Sequence, residues 1–123
     1  MPGPITRTAL LLAPSAGRRT VRERALLAGL SPHARAHAAA LLAAHPRLRL
    51  TSGSRTPARN RQVGGSATSW HLRKRAADFG GDVPLLHAAR ATAIAQRITP
   101  ACTGPEEVLV HDAGSGIHLH VAW

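Results

Sequence analysis

Apolar residues recur at helical spacing in three segments of the chain. Thr20-Val-Arg-Glu23 has the form of a capping box, and it predicts a helix that ends at Gly29. Ser31-Pro32 predicts the start of a second helix that runs to about Ala44, because proline is tolerated in the first turn of a helix. A third helix is predicted over residues 83–98. The apolar residues of the last two helices that we expect to face the core are Ala34, Ala38, Leu41, Leu42, Leu85, Leu86, Ala89, Ala93 and Ile94.

Alternation of polar and apolar residues predicts four short β-strands elsewhere in the chain. They cover residues 47–51, 75–79, 107–111 and 117–122. In the last strand, Ile117, Leu119 and Val121 are expected to face the core, while the two histidines between them face the other side. A tight turn over Asp112–Gly116 joins the last two strands, and residues 52–69 form a long loop with one short helical turn.

The length of 123 residues fits one domain. Residues 1–19 carry three prolines and two glycines, which predicts an extended N-terminal arm, and residues 20–123 are expected to form the single domain. The apolar run Ala9–Ala13 is shorter than the roughly 7–15 apolar residues of a signal peptide. We therefore expect neither a secretory signal nor insertion into a membrane.

The chain carries a formal net charge of +10, almost all of it from arginine. Such a balance favours an anionic partner: nucleic acid, an anionic membrane face, or an acidic polymer such as the bacterial cell wall. The near absence of aromatic residues argues against stacking on single-stranded nucleic acid, and no known docking motif for nucleic acid is present. Cys102 is the only cysteine, which excludes a disulfide within the chain and a zinc ribbon built on cysteines.

Candidate chemistry gathers around one of the few carboxylates. Only six are present and none lies between Glu23 and Asp78, so Asp78 stands out in a long basic stretch. His71 precedes it, and His118 and His120 lie on one face of the predicted last strand. Two imidazoles and a carboxylate suit tetrahedral Zn²⁺ with a fourth position open to water, and a spare histidine could take a proton or stabilise an oxyanion. Spacing alone leaves open that these histidines form only an exposed strand face.

Six short motifs follow one another along the second half of the chain. They are Ser52-Gly-Ser-Arg-Thr-Pro57, Asn60, Val63-Gly-Gly65, Ser69-Trp-His71, Arg75-Ala-Ala-Asp-Phe79 and Gly116-Ile-His-Leu-His-Val121. In this order they resemble the zinc D-alanyl-D-alanine carboxypeptidase family, which includes phage endopeptidases that cut the L-alanyl-D-glutamate bond. The resemblance covers about residues 46–123. It implies an α+β fold of the hedgehog-like metallopeptidase type, in which a small antiparallel sheet carries the metal site and helices cover its other face.

The resemblance also implies roles for individual residues. His71, Asp78 and His120 match the metal ligands of the family, which bind Zn²⁺. Arg55 matches the arginine that holds a substrate carboxylate or polarises the scissile carbonyl, and a guanidinium fork suits either oxygen. Ser69 matches a serine that lines the site and orients the substrate.

Two departures from the family pattern concern the turn after the first ligand and the catalytic base. Lys74 stands where the family has glycine, a change that is expected to leave the ligands intact. Ile117 stands where a glutamate base is usual, so the catalytic base is expected to be His118 or a group distant in sequence. His111 and Asp112 are close in sequence and are expected to be outer partners of the site or rivals for it.

These inferences predict a zinc peptidase that hydrolyses D-alanine-containing bonds in the stem peptides of peptidoglycan. A small chain without a predicted signal peptide favours a phage or prophage product made in the bacterial cytoplasm, either an endolysin or a virion-associated enzyme. In the virion-associated case, residues 1–30 would dock onto tail or other virion subunits. A bacterial enzyme of wall remodelling, a virion module that binds metal without catalysis, and a basic nucleic-acid-binding protein are the alternatives.

Overall fold

The computed structural model describes residues 18–96, 105, 107–112 and 116–123. Most of the predicted arm, the end of the third predicted helix at residues 97–98 and Cys102 lie outside the described residues. The middle of the turn after Asp112 lies outside them as well. The division into an N-terminal arm and a single domain therefore stays a prediction.

Four α-helices and one 3-10 turn are present in the described part of the chain. Their bounds are Val21–Ala28 for α1, Pro32–Ala44 for α2, Pro57–Gln62 for α3, Trp70–Arg73 for the 3-10 turn and Val83–Ala95 for α4. The predicted capping box is confirmed, because the Thr20 hydroxyl accepts the N–H of Glu23 and the Glu23 carboxylate accepts the N–H of Thr20. The short helix predicted in the long loop is confirmed as α3, which the hydroxyl of Thr56 caps. Over these ranges, no helix is both long enough and apolar enough to cross a membrane.

The four predicted strands form one antiparallel sheet in the order β1-β2-β4-β3. Their bounds are Arg49–Ser52 for β1, Ala76–Gly80 for β2, Glu107–Asp112 for β3 and Ile117–Ala122 for β4. Asp78 of β2 lies opposite His120 of β4, and His111 of β3 lies opposite His118 of β4. Residues that oppose each other across a strand pair project from the same face of a sheet, so this register gathers polar side chains on one face.

The other face of the sheet packs against α4, and α2 packs in turn on α4. The buried residues of this core include Ala34, Ala38, Leu41, Leu42, Leu50, Ala77, Phe79, Leu86, Ala89, Ala93, Leu119, Val121 and Trp123. The prediction of core-facing residues is wrong at two positions, since Ile94 is 38% exposed and Ile117 is 44% exposed. Ile94 lies about 100° around the helix from the buried Ala93, and Ile117 begins β4 at the end of the sheet nearest the turn.

Glu23 joins α1 to the edge of the sheet. Its carboxylate accepts the backbone N–H of Leu50 at 3.0 Å and lies 3.3 Å from the guanidinium of Arg19 and 3.4 Å from that of Arg49. Burial raises the pKa of Glu23, but hydrogen bonds from the backbone of Thr20 and Leu50, together with both arginine charges, hold it below its ordinary value. An ionised carboxylate is therefore a fixed part of the fold beside β1.

Lys74 ends the 3-10 turn in the left-handed conformation, with φ 60° and ψ 27°. Within the described ranges it is the only residue other than glycine with a positive φ. Glycine adopts this conformation without the steric cost that a Cβ adds, so a glycine, as in the resembled motif, would suit this position better than lysine. The turn is kept although the glycine is not, and it still carries His71.

Candidate metal centre

Two neighbouring strands and the turn before them bring three candidate metal ligands together. Asp78 and His120 face each other across β2 and β4, and His71 approaches from the 3-10 turn. Ser69 caps that turn, because its hydroxyl accepts the backbone N–H of His71. The backbone N–H of Arg55 donates to the carbonyl of His71, which ties the loop after β1 to the same turn.

Both histidines converge on one oxygen of Asp78. Asp78 Oδ1 lies 3.3 Å from His71 Nε2 and 3.0 Å from His120 Nδ1. One ligand atom from each of the three residues lies within 4.8 Å of the other two, and His71 and Asp78 are buried. Two imidazole nitrogens and a carboxylate oxygen at this spacing fit Zn²⁺, which binds such atoms at about 2.0–2.2 Å in tetrahedral sites.

The second nitrogen of each imidazole contacts a hydrogen-bond acceptor. His71 Nδ1 lies 2.7 Å from the backbone oxygen of Gly53, and His120 Nε2 lies 3.0 Å from Glu107 Oε1. A backbone carbonyl or a carboxylate can accept an N–H, so each imidazole can keep its proton on the nitrogen that contacts this acceptor when a metal takes the other nitrogen. A metal would then replace the contacts that the other two nitrogens make with Asp78.

Glu107 belongs to this group, although no motif in the sequence indicates it. Glu107 opens β3, and alternation along that strand puts Glu107, Leu109 and His111 on the face that carries His118 and His120. The alternation was visible in the sequence, but the register between β3 and β4 was not. Without the register, no signal joined Glu107 to a histidine thirteen residues away.

The charges of the site favour an ionised Asp78. Burial raises the pKa of Asp78, but hydrogen bonds from His120 and His71 and the charges of these rings hold it well below its ordinary value. Burial lowers the pKa of His120, but the carboxylates of Asp78 and Glu107 more than offset this and raise it above its ordinary value. Negative charge therefore persists at the base of the site, where it would favour a cation, and a metal would compete with a proton for His120.

Arg55 contacts Oδ2 of Asp78, the carboxylate oxygen that His71 and His120 do not contact. Its Nη2 is 3.4 Å from Asp78 Oδ2, and its Nη1 donates to Asn60 Oδ1 at 3.3 Å. Asn60 is 3% exposed, and its Nδ2 donates to the backbone oxygen of Ser66 at 2.8 Å. A Cβ on Gly65 would lie 2.8 Å from Asn60 Cγ and closer still to Asn60 Oδ1. Gly65 thus leaves the space in which Asn60 holds Arg55 against Asp78.

His118 lies beside the three candidate ligands, with its Nε2 4.0 Å from Asp78 Oδ1. Its Nδ1 lies 3.2 Å from the backbone oxygen of Gly116, which can accept an N–H from it, and in that neutral tautomer Nε2 presents a lone pair to the site. The ring of His111 packs against that of His118, with 4.5 Å between the ring centroids. Asp112, by contrast, accepts the N–H of Gly116 in the turn.

One cleft of about 1130 Å³ is lined by the three candidate ligands together with Arg55, Glu107, His111 and His118. Ser69 and Trp70 form part of its wall, and Arg22, Arg55 and Arg59 add positive charge to it. Arginines in the walls suit a ligand that carries carboxylates, because guanidinium groups bind carboxylates in a forked geometry. The structure therefore brings the ligand candidates, Arg55, Ser69 and His118 to a single cleft.

The sequence matches the family model of Peptidase M15 over residues 11–111, which is more than half of the chain. The matched region contains Arg55, His71 and Asp78 and ends before His118 and His120. No curated protein and no solved structure matches the chain.

Proposed function

Because the chain belongs to the Peptidase M15 family, we propose that it is a zinc peptidase that hydrolyses D-alanine-containing bonds of bacterial peptidoglycan. The observation that carries the proposal is the convergence of His71, Asp78 and His120 at one cleft, with ligand atoms within 4.8 Å of one another. The resemblance to the zinc D-alanyl-D-alanine peptidases is confirmed at the level of the family. The expected α+β fold, with a small antiparallel sheet and helices on one face, is confirmed as well.

The atoms that would hold the ion are His71 Nε2, Asp78 Oδ1 and His120 Nδ1. A bound Zn²⁺ would supply Lewis-acid chemistry, which polarises a scissile carbonyl and lowers the pKa of water. The protein's own part is to fix the ligands beforehand. His71 is held by the carbonyl of Gly53 and the hydroxyl of Ser69, so its ring and backbone are both oriented.

His118 is the residue we assign to proton transfer. Its Nε2 lone pair faces the site, where it would accept a proton from the water that attacks the amide carbonyl. The same nitrogen would then donate that proton to the amine as the C–N bond breaks, which returns His118 to its starting state. Ile117 has no group that could do this, so the proton transfer does not depend on the glutamate that is usual at that position.

Arg55 is the residue we assign to substrate binding. Its side chain is 18% exposed and uses Nη1 and Nη2 to contact Asn60 and Asp78. A guanidinium carries five N–H donors, so donors remain for a substrate carboxylate or for the scissile carbonyl. Ser69 lines the same cleft and retains a hydroxyl hydrogen that it can donate to the peptide.

The biological setting is a further part of the proposal. We propose a phage or prophage product, either an endolysin or an enzyme that docks onto virion subunits through residues 1–30. The net charge of +10 supports contact with an anionic wall, where the basic surface would retain the enzyme near its substrate.

Release of soluble peptides from purified peptidoglycan tests the proposed function. The wild type is compared with His120→Ala and with His87→Ala, an exposed histidine of α4 outside the cleft, and the metal content of each protein is quantified. We expect the wild type and His87→Ala to carry about one zinc per chain and to release peptides, and His120→Ala to lose both. The masses of the products identify the bond that is cut.

Two other outcomes favour the alternatives. Zinc binding without peptide release would favour a metal-binding module that has no catalytic role. Absence of metal together with salt-dependent binding to DNA would favour a nucleic-acid-binding protein.

A further inference from the structure

We propose that Glu107 is a positioning residue of the metal site, which holds the imidazole of His120 in the tautomer and orientation that a metal requires. The inference rests on the proposed metal site and adds a residue that no motif in the sequence indicates. Its basis is a row of three groups. Asp78 Oδ1 lies 3.0 Å from His120 Nδ1, and Glu107 Oε1 lies 3.0 Å from His120 Nε2 on the opposite side of the ring.

The proton on the His120 ring determines which nitrogen can bind a metal. A neutral imidazole carries one N–H, and a metal bound at Nδ1 leaves this N–H on Nε2, where Glu107 Oε1 lies 3.0 Å away to accept it. With the proton on Nε2, the lone pair of Nδ1 points towards Asp78 Oδ1 and the neighbouring His71. In the other tautomer Nδ1 would carry the proton and could not be a ligand. When a metal replaces the proton between Nδ1 and Asp78, Glu107 accepts the N–H of Nε2 and so stabilises the metal-binding form of His120.

His71 has the same arrangement with a different acceptor. Its Nε2 faces Asp78 Oδ1, and its Nδ1 lies 2.7 Å from the backbone oxygen of Gly53. Each imidazole thus presents one nitrogen to the shared carboxylate and the other to an acceptor that fixes the ring. The acceptor of His71 belongs to the main chain, whereas that of His120 is a side chain that can be exchanged by mutation.

The position of β3 explains how Glu107 reaches His120. Glu107 lies opposite Ala122 in the β3–β4 ladder, so His120 is its diagonal neighbour on the same face of the sheet. The side chain of Glu107 is 43% exposed, while that of His120 is 13% exposed. The carboxylate therefore approaches from the rim of the cleft, where its removal leaves the core untouched.

Zinc affinity, measured without substrate by competition with a chromophoric chelator, tests the proposal. The variants are Glu107→Ala, Glu107→Gln and, as a matched control, Leu109→Ala, which truncates an exposed residue of the same strand and face. We expect Glu107→Ala to bind zinc about 10–100-fold more weakly than the wild type. Glu107→Gln keeps an oxygen that accepts the N–H of His120, so its affinity should lie between the two. Leu109→Ala should bind as the wild type does.

A spectroscopic measurement separates positioning from a general loss of structure. Long-range ¹H–¹⁵N correlation of the zinc-loaded protein should show His120 with a protonated Nε2 in the wild type, and exchange broadening of that ring in Glu107→Ala. Thermal unfolding of the metal-free Glu107→Ala protein should match the wild type, because the side chain is partly exposed.

Two results would overturn the proposal: Glu107→Ala that binds zinc as tightly as the wild type, or Glu107→Gln that binds as weakly as Glu107→Ala. The failure of the proposed function is a separate result. A wild type that binds zinc but releases no peptide from peptidoglycan would refute the peptidase assignment, while the zinc affinities of the Glu107 variants would still decide whether Glu107 positions His120.

Discussion

Replacing Gly65 by alanine tests whether the Asn60 side chain requires a residue without a Cβ at position 65. The added Cβ would lie 2.8 Å from Asn60 Cγ and 3.2 Å from Arg55 Nη1, so the buried Asn60 side chain must move. That movement breaks two hydrogen bonds, from Asn60 Nδ2 to the oxygen of Ser66 and from Arg55 to Asn60 Oδ1. Each of the two lost hydrogen bonds costs about 1–3 kcal/mol where a buried polar group is left without a partner, so we expect Gly65→Ala to lower the free energy of unfolding by about 2–6 kcal/mol.

The neighbouring glycine supplies the control. Gly64 has φ +72° and no atom within 4 Å of an added Cβ, so Gly64→Ala should cost only the roughly 1–2 kcal/mol of a left-handed alanine. Urea denaturation of the metal-free proteins, followed by circular dichroism, measures both values. In an Asn60→Ala background the collision is gone, and Gly65→Ala should then cost less than about 1 kcal/mol. If Gly65→Ala lowers the free energy of unfolding equally in the wild-type and Asn60→Ala backgrounds, a collision with Asn60 is not the cause.

Three other predictions concern the turn, the helix anchor and the cleft. Lys74→Gly should raise the free energy of unfolding by about 1 kcal/mol, because it removes the steric cost of a positive φ; an unchanged melting temperature would contradict this. Glu23→Gln should lower the free energy of unfolding by about 1–3 kcal/mol at pH 7. Because the folded pKa of Glu23 is lowered, its stabilisation is present above the unfolded pKa of about 4.3 and is lost as the pH falls through the folded value, so denaturation curves of wild type and variant should converge in acid. Arg55→Lys should reduce kcat/KM for a stem peptide by about tenfold or more while zinc content stays near one per chain, since an ammonium cannot bind oxygen in a fork; equal kcat/KM would remove Arg55 from the substrate site.

The parts of the fold that the sequence predicted are those with local signals. The capping box at Thr20 and the Ser31-Pro32 start lie next to the helices they define, so both helices begin where the pattern indicated. Periodicity identifies which face of a strand is apolar, but it does not show how far along the strand other elements cover that face. Ile117, which is exposed at the start of β4, was therefore predicted to lie in the core. The prediction that Ile94 is buried was wrong for a related reason. Each residue of a helix is rotated by about 100° from the one before it, so Ile94 points away from the face that buries Ala93.

The residues of the candidate site likewise fall into those that local motifs indicate and those that only the three-dimensional structure reveals. His71, Asp78 and His120 occur in motifs that could be compared with a family, and the structure brings them together. Glu107 occurs in no such motif, and although Gly53 does, nothing in its motif indicates that its carbonyl contacts His71. These contacts depend on the register of β3 and on the path of the loop after β1. The space that Gly65 leaves for Asn60 is likewise a three-dimensional property, although both residues belong to the quoted motifs.

The strand order has a consequence for the kinetics of folding. β4 lies between β2 and β3, so Asp78 and His120 meet only when segments 42 residues apart in the chain have paired. We expect these two strands to pair late in folding, because closing a long loop costs conformational entropy before the contacts between the strands can stabilise it. A metal that needs both residues can bind only after that step. We therefore expect zinc to slow unfolding and extend the lifetime of the native state, with little effect on the rate at which the chain folds.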